Sequence, residues 1–327
     1  MEAPRTAFVT GGSGFVGGAL IRRLVRDGFR VRGLARSERS AEAVSRAGAE
    51  PVQGDVSNPD ALRAGAAGCE LAFHAAARLG EWGPWEEFEQ INVQGTLNVL
   101  EACRAAGVRR MVHVGTEAAV VAGQPLVMVD ETAPLRPDSK APYCASKALA
   151  EQAVRDANGN GLETVVVRPR LVWGPGDTTV LPSIARAVEQ GRFAWIGGGR
   201  HRTSTTYIDN AVEGLVLGAE RGRPGEAYFV TDGEPVEFRE FVTRQLAALG
   251  VEAPTRTLPL PAARAAAVGL EGAWTALRRK GQPPLTRTAV WLSAVEMTIR
   301  IDKARQELGY EPPVSIDDGL ERLRAAA

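Results

Sequence analysis

The run Val9-Thr10-Gly11-Gly12-Ser13-Gly14-Phe15-Val16-Gly17 limits what this chain can fold into more than any other segment. It joins a short apolar run, Thr6–Thr10, to a stretch from Phe15 to Asp27 whose apolar residues recur at helical spacing. Gly11 permits a tight turn, Gly14 lets main chain approach a pyrophosphate, and Gly17 allows the helix to pack closely. The amides of the helix N-terminus then face the anion. Glycines at this spacing also describe any tight turn. Their position after a strand and before a helix is what predicts a dinucleotide cradle, lined by Gly11, Ser13, Gly14, Phe15, Val16 and Gly17.

The same alternation continues. Thr6–Thr10, Arg30–Ala35, Pro51–Gly54, Glu70–His74, Arg110–Gly115 and Thr164–Arg168 read as buried strands, and Phe15–Asp27, Phe88–Ala106 and Tyr143–Ala157 as crossover helices. The expected fold is α/β, a doubly wound parallel-sheet Rossmann fold. After about residue 175 the rhythm breaks at Gly197-Gly198-Gly199 and the Pro-rich segment around Leu258. Residues 1–175 are therefore expected to form the dinucleotide-binding domain and 176–327 mainly a smaller substrate lobe, with some segments returning to the first.

The 39 basic and 39 acidic side chains balance, so no broad field favours nucleic acid, and a small molecule is the expected partner. Three scattered cysteines and three histidines leave little for a disulfide framework, a metal centre or a Ser-His-Asp triad. No signal-peptide pattern precedes the first strand and no long apolar run follows, which points to a cytoplasmic protein without a transmembrane span.

At the end of the second strand the sequence reads Leu34-Ala35-Arg36-Ser37, with no acid to bind the adenosine ribose and repel an extra phosphate. Arg36 can pair with that phosphate, and Ser37 stands beside it, so NADP is favoured over NAD; alternatively Arg36 is a solvated loop charge. Asp55, with Val56, follows the third strand and can accept from the adenine amino group. His74-Ala75-Ala76 follows the fourth, where small residues let the dinucleotide lie against main chain.

Tyr143 and Lys147 lie one helical turn apart on one face, and an ammonium beside a phenol favours phenolate. Pro142 marks the start of that helix, and Thr116 follows the fifth strand, at the sheet edge where ligands bind. Gly11 to Gly17, Tyr143 to Lys147, Arg168-Pro169 and Thr206-Tyr207-Ile208-Asp209-Asn210 resemble the extended short-chain dehydrogenase/reductase superfamily over nearly the whole chain. Ala141 to Glu151, Arg168 to Asp177 and Tyr228 to Pro235 are similar to its 3β-hydroxysteroid dehydrogenase family, which includes sterol-4-carboxylate dehydrogenases. Leu79 to Gly83 and Pro283 to Arg287 look most like the 2-alkyl-3-oxoalkanoate reductases of that family.

The resemblance implies that Thr116, Tyr143 and Lys147 are the catalytic set, Thr116 standing where serine is more common. It implies an NAD(P)-dependent oxidoreductase that interconverts a secondary alcohol and a ketone on a bulky apolar substrate, with Asn92 and Pro169 near the cofactor. A homodimer is the expected assembly. Trp82, Trp85 and Trp173 offer apolar contact to a sterol or alkyl chain, or else pack the core. Arg170 meets a substrate carboxylate or caps an element at the crevice rim. Two rivals remain: a nucleotide-sugar epimerase or dehydratase on the same fold, and an NAD(P)-sensing protein without catalysis.

Overall fold

The computed structural model describes residues 5–327. Strands β1 (Thr6–Thr10), β2 (Arg30–Ala35), β3 (Glu50–Gln53), β4 (Leu71–His74) and β5 (Arg110–Val114) pair in parallel with strands Glu163–Pro169 and Ala227–Val230. The spatial order is Ala227–Val230, Glu163–Pro169, β5, β4, β1, β2, β3. The chain reverses direction across the sheet between β1 and β4, and in such sheets the ligand crevice opens at the carboxyl ends beside that point.

Alternate residues of each strand serve opposite faces. On one side Ala7, Val9, Phe73, Val112 and Val167 pack against Leu20, Ile21 and Leu24 of helix α1 (Phe15–Arg26) and against Leu215 of helix Ile208–Arg221. On the other, Phe8, Met111 and Val166 meet Leu62, Val99 and Val154. Both faces are covered, as a parallel sheet requires.

Residues beyond 175 contribute the seventh strand, Ala227–Val230, and the helix Ile208–Arg221 that covers it. Asp232, just after that strand, accepts from Trp173 Nε1 at 2.8 Å, Thr205 Oγ1 at 2.7 Å and Asn210 Nδ2 at 2.7 Å. The Thr206–Asn210 and Tyr228–Pro235 motifs thus meet at one half-buried carboxylate.

A second sheet joins Val236–Glu237, Arg202–Thr203, Met297–Ile299 and Leu126–Val129, drawing its strands from both halves of the sequence. The helix expected over Phe88–Ala106 begins at Trp85 and is not uniform. A π-helical stretch, Glu89–Gln94, separates Trp85–Phe88 from Gly95–Ala105. Among the described residues no helix is long and apolar enough to cross a membrane.

Candidate active site

The glycine turn is shaped by contacts that exclude side chains. Gly11 has φ +73°, and a Cβ on it would stand 2.5 Å from the carbonyl carbon of Ala75. A Cβ on Gly17 would stand 2.2 Å from the Gly11 carbonyl oxygen, so Gly17 packs the helix against the turn itself. Gly14 is the N-cap of α1, and neither a side-chain cap nor an acidic residue occupies that first turn. Its free amides and this narrow cradle fit a pyrophosphate. Ser13 is exposed, while Phe15 and Val16 are half-buried against the core.

Around the adenosine end, Arg36 is exposed and its charge helps to hold the Asp55 carboxyl below its ordinary value, after the hydrogen bonds from Ser57. Ser37 caps helix α2 (Glu38–Arg46) through a reciprocal pair with Ser40. Val56 is buried against Gly95. Pro169 closes its strand opposite Val230.

Ala75 and Ala76 adjoin the glycine turn. His74 is fully committed: Nδ1 is 2.7 Å from Thr10 Oγ1 and Nε2 is 2.9 Å from Thr96 Oγ1. Burial, and then the Lys147 charge, push it down to about 3, so it is neutral.

On helix Pro142–Asp156, Lys147 is buried and its Nζ donates to Val114 O at 2.9 Å and to His113 Nε2 at 3.1 Å. Burial lowers it to about 8, against the opposing charge of Glu151 one turn on. Glu151 is itself paired with Arg168, both side chains 0% exposed.

Tyr143 is half-buried. Burial, then the Glu117 carboxylate, hold its phenol well above the ordinary value. This corrects the expectation that Lys147 lowers it, because the ammonium is turned to Val114 and His113 instead. The arrangement keeps the phenol protonated and therefore able to donate a proton.

Asn92, expected near the cofactor, lies buried within the π stretch. Its Oδ1 accepts from Arg78 N at 2.7 Å and its Nδ2 donates to Ser146 Oγ at 2.9 Å. It ties the tryptophan loop to the catalytic helix.

Trp82 and Trp85 are half-buried in the Leu79–Phe88 loop, whereas Phe88 is core, beneath the Arg78 guanidinium. The loop is fastened by Glu81, which accepts from Thr286 Oγ1 at 3.0 Å and Gln282 Nε2 at 3.2 Å. The two segments that resembled alkyl-oxoalkanoate reductases are thus in contact.

Two substrate assignments need correction. Arg170 is 3% exposed and gives four of its five N–H groups to Glu117, Thr203 and the Leu292 carbonyl, so burial and these partners turn it away from a substrate carboxylate. Trp173 packs edge-on to Tyr207 and Phe241, at ring distances of 5.0 and 5.1 Å, and serves the core.

Sequence reasoning overlooked Glu117 and His113. A carboxylate adjoining Thr116 was the available signal for the first, and the cross-strand pairing of His113 with His74 has no signal within either segment. Among the described residues no cluster of His, Cys, Asp and Glu is arranged to hold a metal ion.

Comparison with known proteins follows the same lines. The model of the 3-beta hydroxysteroid dehydrogenase/isomerase family matches residues 8–261. A 4-hydroxy-2-methyl-3-oxo-4-farnesyl-3,4-dihydroquinoline-1-oxide ketoreductase of Stigmatella aurantiaca is 48% identical, covering 98% of this chain and 96% of its own. A 2-alkyl-3-oxoalkanoate reductase of Stenotrophomonas maltophilia is 40% identical, covering 98% of each. The solved structure of a dTDP-glucose 4,6-dehydratase double mutant from Streptomyces venezuelae, with NAD bound, superposes with a TM-score of 0.76. It is 25% identical and covers 98% of this chain and 96% of its own.

Proposed function

The chain belongs to the 3-beta hydroxysteroid dehydrogenase/isomerase family, and from that premise we propose that it reduces a ketone flanked by an alkyl-bearing carbon on a bulky apolar molecule. It is an NAD(P)-dependent oxidoreductase acting between a secondary alcohol and a ketone. The single observation that carries the finer reading is shared by two relatives. Both names print a 3-oxo group beside an alkylated position 2.

The nicotinamide cofactor supplies the hydride when bound. Gly11 to Gly17 would hold its pyrophosphate, and Arg36, free of any acidic residue at the turn, would favour NADP by pairing with the extra phosphate. Tyr143 donates the proton to the carbonyl oxygen, beside Thr116. Lys147, fixed by Val114 and His113, keeps one ammonium hydrogen for the cofactor ribose. Trp82 and Trp85 cover the apolar part of the substrate.

Three buried, unpaired cysteines agree with a reducing cytoplasm. A homodimer is proposed and is checked by light scattering.

NADPH oxidation across a panel of 2-alkyl-3-oxo acids, alkylated cyclic ketones, 3-oxosteroids and nucleotide sugars tests the reading. Turnover of the first two classes at efficiencies well above the others is expected. Preferred turnover of a nucleotide sugar would overturn it.

A further inference from the structure

Resting on the catalytic assignment above, we infer that Glu117 and Arg170 act as a positioning pair in ketone reduction, Glu117 aiming the Thr116 hydroxyl and Arg170 anchoring Glu117 to the substrate side of the fold. Thr116 follows β5 and caps the short helical turn Glu117–Val120. Its Oγ1 accepts from Ala118 N at 3.2 Å and donates to Glu117 Oε2 at 2.7 Å. A hydroxyl has one hydrogen. With that hydrogen given to Glu117, Thr116 has only a lone pair left for any group on its other side, and the carboxylate thus fixes which way that lone pair faces.

Glu117 could not stay there alone. Its side chain is 7% exposed, and a buried carboxylate without a partner is strongly destabilising. Arg170 Nη1 donates to Glu117 Oε1 at 2.5 Å. The rest of that guanidinium faces the other half of the molecule, with Nε and Nη2 on Thr203 Oγ1 at 3.2 and 2.9 Å and Nη2 on the Leu292 carbonyl at 3.2 Å.

Leu292 belongs to helix Arg287–Ser293, whose N-cap Thr286 binds Glu81 of the tryptophan loop. A Cβ on Gly123, in the segment after Val120, would stand 2.9 Å from Trp291 of that helix. One short helix therefore touches the substrate loop, the segment after Thr116 and the arginine behind Glu117.

The groups facing the phenol also define a pH signature. Glu117 presses on it from the turn after β5 and Cys144 from its own helix, while the Thr116 hydroxyl acts in the opposite sense. Lys147 is turned toward His113 and Val114 on β5, and Arg170 lies behind Glu117. Removing the carboxylate takes away a negative charge that favours the protonated phenol, so the phenol's pKa falls. Reduction needs the protonated form, so its alkaline limb moves to lower pH.

The deciding variant is the double substitution Glu117→Gln with Arg170→Met, which leaves no unpaired charge buried. It is assayed in the full chain with NADPH and a 2-alkyl-3-oxo acid. Expected are a Tm above that of Glu117→Gln alone, unchanged cofactor affinity, kcat lower by about a hundredfold with the ketone KM nearly constant, and the earlier alkaline limb. Wild-type kcat with an unmoved limb would show the pair to be structural only and overturn the inference.

Where the double variant does not fold, Thr203→Val keeps both charges and removes two bonds from Arg170. A kcat about threefold lower at unchanged cofactor affinity supports positioning, and an unchanged kcat overturns it. Tyr143→Phe measured alongside separates the two levels. An active Tyr143→Phe defeats the catalytic assignment itself, whereas an inactive one beside a fully active double variant defeats only the pair.

Discussion

Around Gly11 the crevice is shaped by main chain, whereas around Trp82 it is shaped by side chains that come together from distant parts of the sequence. The turn is closed by Gly11, Gly14 and Gly17, a few residues apart, against the Ala75 backbone. The tryptophan loop is held by Glu81 to Thr286, 205 positions away, and Arg170 reaches Leu292 across 122. The first design admits almost no substitution and fits a pyrophosphate. The second can change piece by piece, which suits a surface that chooses the substrate.

The sharpest test lies where the two regions meet. Tyr143→Phe removes one oxygen and is expected to lower kcat by at least about a hundredfold while cofactor affinity, measured by fluorescence titration, stays nearly constant. Near-wild-type turnover would remove Tyr143 from the mechanism.

Next comes the backbone-built side. Gly11→Ala places a methyl on the Ala75 carbonyl at positive φ, and a stability loss of about 2–3 kcal/mol is expected, with cofactor binding reduced in parallel. Thermal unfolding with and without NADPH measures both. A variant that bound cofactor normally would show the turn to be more pliant than the comparison holds.

Replacing Trp82 and Trp85 by alanine should raise KM about tenfold for long-chain or polycyclic ketones and much less for short ones, since only large ligands reach the loop. Equal losses for both would make these residues structural. Arg36→Ala is expected to weaken NADP about fivefold and leave NAD unaffected; tighter NAD binding by the wild type would refute the preference.

The smallest effect concerns Glu81. Burial raises its carboxyl, with Thr286 and Gln282 opposing. A raised acid means that the folded state holds the proton more tightly, so stability falls as pH rises through that pKa. Glu81→Gln keeps an acceptor for Thr286 and should raise Tm by about a degree at pH 8 and not at pH 5. Equal shifts at both values would remove the carboxyl from the pH dependence.

How far the sequence was readable follows the same division. β1 and β2 coincide with the expected strands, and Tyr143 and Lys147 sit on the expected helix, because each depends on periodicity and turn chemistry within a short window. Arg170 and Trp173 were left between two roles since a strand-end residue has the same neighbours in sequence whether it faces crevice or core. The second sheet went unseen because its strands are two to four residues long, too short for alternation to register. Glu117 was passed over as the residue next to Thr116, and only the position of Arg170 gives it a role.

The π stretch at Glu89–Gln94 carries one more consequence. Such a stretch amounts to one residue more than a regular helix needs. Deleting one residue from it would let the helix run straight and gain regular hydrogen bonds, with Trp85–Phe88 and Gly95–Ala105 kept in phase because the wide turn already absorbs the extra residue. What would change is the bulged turn itself, where Asn92 could no longer reach both Arg78 and Ser146. A shorter, more regular helix would therefore be a better helix in a worse enzyme, and a length change at this one turn is a route by which a relative could release the substrate loop from the catalytic helix without altering a single catalytic side chain.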